Sequence, residues 1–307
     1  MYKYKKGDID RLVAGRFPTL MEDVRKVIER SELEYTGREG DESFLWEHTR
    51  FVSSMAMHIS RGESLDPLLP VVTSLFHDCG KFENGIYHEG DTPEEETAAK
   101  IAQRLLGNAG MDSLSIKLVI EALLALYNDN LEKNMVSKIV HDADFLTKFG
   151  YMGFAGFFEK SALRGMAMGS SILKRVSKEL TYAASLVQNM HTASGRKMAL
   201  SRSENTKMLF RNYLGEMAQA GIAEYEIREM EINCCKGPED IIPLALVLPV
   251  RCPGCGSSVK TEFEVERGVK CEKLTVNIGC FRCSESSEYD LSFCLPELMG
   301  KTPGRHE

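Results

Sequence analysis

No apolar run in this 307-residue chain approaches the ~18 residues needed to cross a membrane; the longest candidate, 241–250, is too short and holds two prolines. The N-terminal stretch MYKYKKGDIDR carries basic residues with no apolar core behind them, which is not the pattern of a signal peptide. With 25 Gly and 10 Pro, and neither an internal repeat nor a biased tract, collagen-like and low-complexity classes fall away. Positive charge is not in excess either: the net charge of −7 counts against a dedicated nucleic-acid binder. What is present, 43% hydrophobic and 27% charged residues, is the balance of a folded soluble chain with room for a large domain and a smaller one. We therefore expect a soluble, cytoplasmic protein, whose nine cysteines are metal ligands or thiols rather than disulfides.

The charge is unevenly placed. Residues 161–211 hold nine Lys or Arg against Glu179 and Glu204, so the remainder of the chain is strongly acidic. Such a segment either focuses the field toward an anionic ligand or is a set of solvated helix faces paired with acidic neighbours. Helical patterning predicts elements over 20–30, 43–60, 67–79, 93–106, 113–127, 132–148, 170–190 and 196–217. The fourth has a start signal in Thr92, Pro93 and Glu95, and Gly107 as its stop. Past Gly221 the pattern turns to strands: 241–250 is an apolar run, and Val259, Thr261, Phe263 and Val265, then Leu274, Val276 and Ile278, alternate with polar residues. The expected fold class is mainly α, a helical body over 1–225, with a linker and small β module over 226–307.

Two of the seven histidines in the chain precede aspartates, in His77-Asp78 and His141-Asp142. Imidazole and carboxylate suit divalent metals. Adjacent helical side chains diverge by about 100°, so His77 and Asp78 converge on one ion only where a helix ends, and Gly80 permits that. His48, 29 residues upstream of His77, and Asp144, 66 residues downstream of Asp78, can complete a set recruited from separate helices. His48, then LFHDCGK (75–81), then DADFL (142–146) resemble the signature of the HD-domain metal-dependent phosphohydrolases. Residues 190–217 are similar to the closing helical segment of one bacterial and archaeal subgroup, so the resemblance spans roughly 20–220.

The resemblance implies an HD-type helical bundle with His48, His77, Asp78 and Asp144 as ligands of one divalent metal (Mn, Fe, Co, Ni, Zn or Mg). It selects Asp144 over Asp142, and the helical phase agrees in placing Asp144 on the apolar face of Val136, Val140 and Ala143, with Asp142 to the side. Two-metal members carry two further histidines between the HD pair and the last Asp; His88 can fill the first place, but Tyr127 stands near the second. One tightly held metal is therefore expected. Asp78, Lys81 and His88 are the candidate catalytic residues, with Lys81 and His88 holding phosphate and His88 protonating a leaving oxygen; a solvent-exposed loop histidine is the other reading of His88. Arg196 and Arg202 are weaker candidates for substrate binding, and His141 either supports the metal ligands or simply packs.

Cys252-Pro-Gly-Cys255 and Cys280-Phe-Arg-Cys283 form two CxxC turns separated by a predicted hairpin, offering four thiolates to one structural Zn²⁺ in a module that looks like a zinc ribbon. A redox CxxC is the rival reading. Cys79 reads as a buried small hydrophobe, while Cys234, Cys235, Cys271 and Cys294 suggest no further site. Seven Lys or Arg against nine Asp or Glu over 252–307 favour protein docking or self-association for the ribbon rather than nucleic-acid binding. The sequence thus points to a phosphohydrolase acting on a phosphomonoester or phosphodiester, with a nucleotide as the anionic small-molecule partner. The alternative is a non-enzymatic HD-like scaffold whose ribbon makes it an adaptor or ligand sensor.

Overall fold

The computed structural model describes residues 7–37, 43–82, 85, 93–128, 130–163, 165, 170–222, 224–233, 241–252, 255–267, 272–283 and 286–291. Among these, helices α1 (Asp8–Ala14), α2 (Leu20–Thr36), α3 (Phe44–Gly62), α4 (Leu68–Phe76), α5 (Glu94–Asn108), α6 (Ser113–Ala125), α7 (Met135–Thr147), α8 (Gly150–Leu163), α9 (Ser170–Ser185) and α10 (Ala193–Gln219) precede all strands. The strands are β1 (Tyr225–Asn233), β2 (Ile241–Pro249), β3 (Val259–Arg267), β4 (Glu272–Cys280) and β5 (Ser286–Leu291). The fold is mainly α with small antiparallel sheets at the C-terminal end, and no helix among the described residues is long and apolar enough to cross a membrane. Two compact units divide the chain: Met1–Thr147 with Met190–Lys197, and Lys148–Asn189 with Met198–Glu307.

The first unit is built around α4. Every residue from Pro70 to Phe76 is buried, the signature of a helix surrounded by its neighbours rather than lying on a surface. Its core joins Val24 and Ile28 of α2, Leu45 of α3, Leu75 and Phe76 of α4, Leu106 of α5 and Leu123 of α6. On the other side α4 packs against α3 and α7, which also pack on each other. Helix α3 starts at a conventional cap, Ser43 Oγ accepting from the Trp46 amide at 3.0 Å. Helix α7 begins three residues later than the periodicity suggests, because Asn134 Oδ1 accepts from the Ser137 amide at 2.9 Å and sets the start there.

Two helix ends differ from expectation with consequences for the site. Helix α4 stops at Phe76, so His77 is its C-cap and Asp78 lies in the following turns instead of inside a helix reaching Cys79. Helix α5 starts at Glu94 with Pro93 at the cap and no side-chain cap bond; Thr92 lies outside the described residues, and Gly107 sits within the helix, which runs on to Asn108. Helices α1 and α8 were not expected. The α8 sequence, GYMGFAGFFEKSAL, hides its period because glycine recurs in it and apolar residues occur on most sides.

In the second unit β1 and β2 form an antiparallel pair in register from Tyr225↔Pro249 to Asn233↔Ile241. Strand β2 is buried from Leu244 through Leu248, and its Ala245 and Val247 join Phe157, Val176, Leu180, Phe210 and Leu214 in one apolar cluster. Its outward backbone groups are covered by α9: the Ala245 amide donates to Thr181 Oγ1 at 3.1 Å and the Val247 amide to Ser177 Oγ at 2.9 Å. The strands begin at Tyr225, and the compact unit groups α8, α9 and most of α10 with them. The other sheet has the order β3–β4–β5, with β3 and β4 in register from Val259↔Cys280 to Arg267↔Glu272.

Candidate metal centre

Three helices and one turn bring four side chains of the first unit together. His48 comes from the second turn of α3, His77 and Asp78 from the end of α4, and Asp144 from α7. All four are buried. His48 Nε2 stands 3.2 Å from Asp144 Oδ1 and 3.5 Å from Asp78 Oδ2. His77 Nε2 stands 3.5 Å from Asp78 Oδ2 and 4.0 Å from Asp144 Oδ1. Ligands bonded at the ~2.0–2.2 Å typical of nitrogen and oxygen donors are themselves ~3–4 Å apart, so these separations suit one shared ion.

The histidine chemistry supplies a sharper test of fit. His77 Nδ1 lies 2.7 Å from the Ser74 carbonyl, which can only accept, so Nδ1 carries a proton and the lone pair of the neutral imidazole is on Nε2. That Nε2 is buried without a hydrogen-bond partner among the described residues, and it faces carboxylate oxygens, which are acceptors too. A cation resolves this clash of lone pairs, and two imidazoles with two carboxylates are a donor set that divalent metals accept. Burial lowers the pKa of His48 to about 4, so its imidazole is neutral and ligand-competent at neutral pH. Burial works against the charge of Asp78, but His77, then Lys81 and His48, hold its carboxyl below the ordinary carboxylate range.

The turn after α4 is shaped by close packing. A Cβ at Gly80 would sit 2.2 Å from the Glu94 carbonyl oxygen at the start of α5, so only glycine lets the backbone pass there. Lys81 follows, and its Nζ pairs with Asp78 Oδ2 at 2.7 Å. Tyr127, just past α6, donates its hydroxyl to Asp144 Oδ2. Burial foremost, then Asp144 and Asp78, push the Tyr127 phenol well above its usual pKa, which keeps it a donor. The Tyr127 hydroxyl thus holds one oxygen of the Asp144 carboxylate. Sequence reading noted Tyr127 only as a gap in the pattern; the available signal was a hydroxyl at the end of an apolar helix, which when buried needs an acceptor.

The other candidates have varied places. Asp142 is fully buried and accepts from the Thr192 amide at 2.8 Å, Thr192 Oγ1 at 2.7 Å and the His191 amide at 2.9 Å. Arg196 donates to the Met190 carbonyl at 2.8 Å, and Arg202 to the Phe149 carbonyl at 3.2 Å, so each guanidinium bonds a main-chain oxygen. Within the basic segment Arg175 donates to Ser161 Oγ at 2.6 Å and Arg211 pairs with Glu229 at 2.6 Å. His88 lies outside the described residues, as do Cys234, Cys235, Cys271 and Cys294. Cys79 is buried in the first unit's core, and burial pushes its thiol pKa up.

A second ligand cluster lies in the second unit. Cys252 Sγ is 3.6 Å from Cys283 Sγ, and Cys255 Sγ is 3.4 Å from Cys280 Sγ, with all four sulfurs mutually within 4.8 Å. Sulfurs bonded to one tetrahedral zinc at ~2.3 Å stand about 3.8 Å apart. Contacts from Ser257 lower the Cys255 thiol to about 6, and the Cys283 and Arg282 amides lower that of Cys280, so both lose a proton more readily than an ordinary thiol.

Comparisons with known proteins give likeness at the level of structure alone. No protein-family profile matches the chain, and no curated protein does. A predicted HD superfamily hydrolase from an uncultured Thermotogales bacterium superposes with a TM-score of 0.47 and 19% identity over 66% of this chain and 92% of that one. Bacillus subtilis YpgQ, solved in complex with ADP, gives 0.47 and 20% identity over 64% of this chain and 96% of its own. An HD-superfamily hydrolase from Bacillus thuringiensis gives 0.45 and 20% identity over 65% and 99% of the respective chains.

Proposed function

We propose that this chain is a metal-dependent phosphohydrolase acting on a phosphomonoester or phosphodiester, with a nucleotide as substrate class. The observation that carries the reading is the convergence of His48, His77, Asp78 and Asp144 around the unpartnered Nε2 of His77, in the order the resembled family uses. The nucleotide class comes from that resemblance. His48 and His77 would hold the ion through neutral Nε2 atoms, and Asp78 and Asp144 would supply the anionic oxygens. When bound, a divalent ion supplies Lewis acidity and lowers the pKa of a coordinated water toward ~7. Asp78 would orient the attacking water through the carboxylate oxygen left to it, with Tyr127 holding Asp144 in place. Lys81, already at the site through Asp78, would take a phosphoryl oxygen and offset the charge that builds there. His88 would hold phosphate and protonate the leaving oxygen. In the second unit, the four cysteines would close on one structural Zn²⁺, and the ribbon so formed would dock a protein or a second copy.

Metal counting and a phosphatase assay on the full chain test the reading together. Wild type should carry a divalent metal beyond the ribbon zinc and lose hydrolysis of nucleotide phosphates on chelation. Asp78→Ala should lose that metal and at least ~10³-fold in activity while staying helical, since it removes an anionic ligand and no core packing. Ribbon zinc alone, with no hydrolysis, would make the chain an adaptor; full activity in Asp78→Ala would remove Asp78 from the site.

A further inference from the structure

The first unit contains another set of ligand-type side chains that the proposed reaction does not use. His141 and Asp142 sit side by side on α7, and His191 lies two residues before α10 begins. Each offers a ligand atom within 4.8 Å of those of the other two. The His141 and His191 rings lie with centroids 4.5 Å apart, tilted by 58°. We propose that His141, Asp142 and His191 form a second, separate site for a borderline divalent transition metal such as Zn²⁺.

The placement is built rather than incidental. Asp142 is tied to the His191–Thr192 segment, 49 and 50 residues further along the chain, by two main-chain amides and one hydroxyl. Gly195 belongs to the same construction: a Cβ there would lie 2.4 Å from Asp142 Oδ2 and 2.7 Å from Thr192 Oγ1. The bonds load the two carboxylate oxygens unequally. Oδ2 takes both Thr192 donors and shares the His191 amide at 3.1 Å, whereas Oδ1 accepts that amide at 2.9 Å and faces His141 Nδ1 at 3.3 Å. Oδ1, the less loaded oxygen, thus stands beside the His141 imidazole, and the His191 ring offers a ligand atom within 4.8 Å. Phe145 stacks on His141 with centroids 4.5 Å apart, shielding one side, while His191 is exposed, leaving an entry path and room for water as a further ligand. Two imidazoles and one carboxylate with an open position form a set that borderline metals take. Ligands of one ion lie ~3–4 Å apart, so the looser spacing here closes by rotation of the exposed His191 ring.

The side chain of His191 can be removed without touching the construction that holds it, because Asp142 is bonded to the His191 main chain. The test is Zn²⁺ titration of the chelator-stripped full chain against a competing indicator, with bound metal counted by mass spectrometry. Wild type should bind one more equivalent than His191→Ala and one more than His141→Gln. The same loss of one equivalent should appear when His191→Ala is placed in an Asp78→Ala background, which separates this site from the phosphohydrolase centre. In metal-free buffer His191→Ala should melt with wild type, and added Zn²⁺ should raise the melting point of wild type more. Equal equivalents and equal competition curves in wild type, His191→Ala and His141→Gln would overturn the proposal, whatever becomes of the hydrolase reading.

Discussion

The histidine–aspartate cluster draws its ligands from three helices and a turn inside a packed core, whereas the cysteine cluster draws its own from two turns at one end of a three-stranded sheet. Around His48, His77, Asp78 and Asp144 the helices have apolar reasons to be where they are: Leu75 and Phe76 precede the HD pair, and Val140 and Ala143 precede Asp144, all fully buried. Around the sulfurs, Cys252 and Ile278 are buried, but Cys283 and Phe281 are exposed. A ligand set embedded in a core exists before its metal arrives. A set on two short turns is assembled by it.

The largest effect expected from this contrast is in the cysteine cluster. Cys252→Ser should release one zinc and open the region from β3 onward to protease, since the metal supplies on the order of 10 kcal/mol of folding free energy to such modules. The helical unit should keep its circular dichroism in the same variant. Limited proteolysis with zinc counting reads both, and wild-type resistance in the variant would erase the distinction.

Within the helical unit the two aspartates of α7 divide the same way. Asp142 holds chain to chain through charge-assisted hydrogen bonds, each worth about 1.5–3 kcal/mol, so Asp142→Asn should lower metal-free stability by several kcal/mol in denaturant titration. Asp144 is buried beside His48 and Asp78, so Asp144→Asn relieves charge crowding and should leave metal-free stability near wild type while affinity for the body metal collapses. Equal behaviour of the two variants in both assays would show that α7 carries no such division of labour.

The smallest effect belongs to Tyr127. Its hydroxyl holds Asp144 Oδ2 and leaves Oδ1 toward His48 and His77. Tyr127→Phe keeps the ring and removes the bond, and should weaken body-metal affinity ~10–100-fold, the usual cost of losing a group that orients a ligand. Calorimetric metal titration measures it, and unchanged affinity would show that packing alone fixes Asp144.

The four converging residues were legible because histidine and aspartate are sparse, chemically distinctive, and recur here in a recognisable order across 97 residues. What joins them was less so. Asp142 reads in sequence as a neighbour of the apolar face, because its partners are mostly main-chain amides 49 and 50 residues away, and amides leave no mark on a sequence. Tyr127 reads as one more aromatic among Leu123, Ala125 and Leu126 until its hydroxyl has an address. Helix α8 hid for a related reason: its apolar residues occur on most sides, so period alone could not find it.

The bond from Asp142 to the segment starting at His191 also orders events in time. One compact unit runs to Thr147 and then recruits Met190–Lys197, so its last piece is synthesised only after the 42 residues of Lys148–Asn189. On the ribosome, the carboxylate of Asp142 must wait, charged and without these donors, until Thr192 has cleared the exit tunnel. At ~5–20 residues per second that interval lasts a few seconds, long against helix formation. Truncation after α7 would make the wait permanent, and a fragment ending there would expose the carboxylate to whatever donor reaches it first.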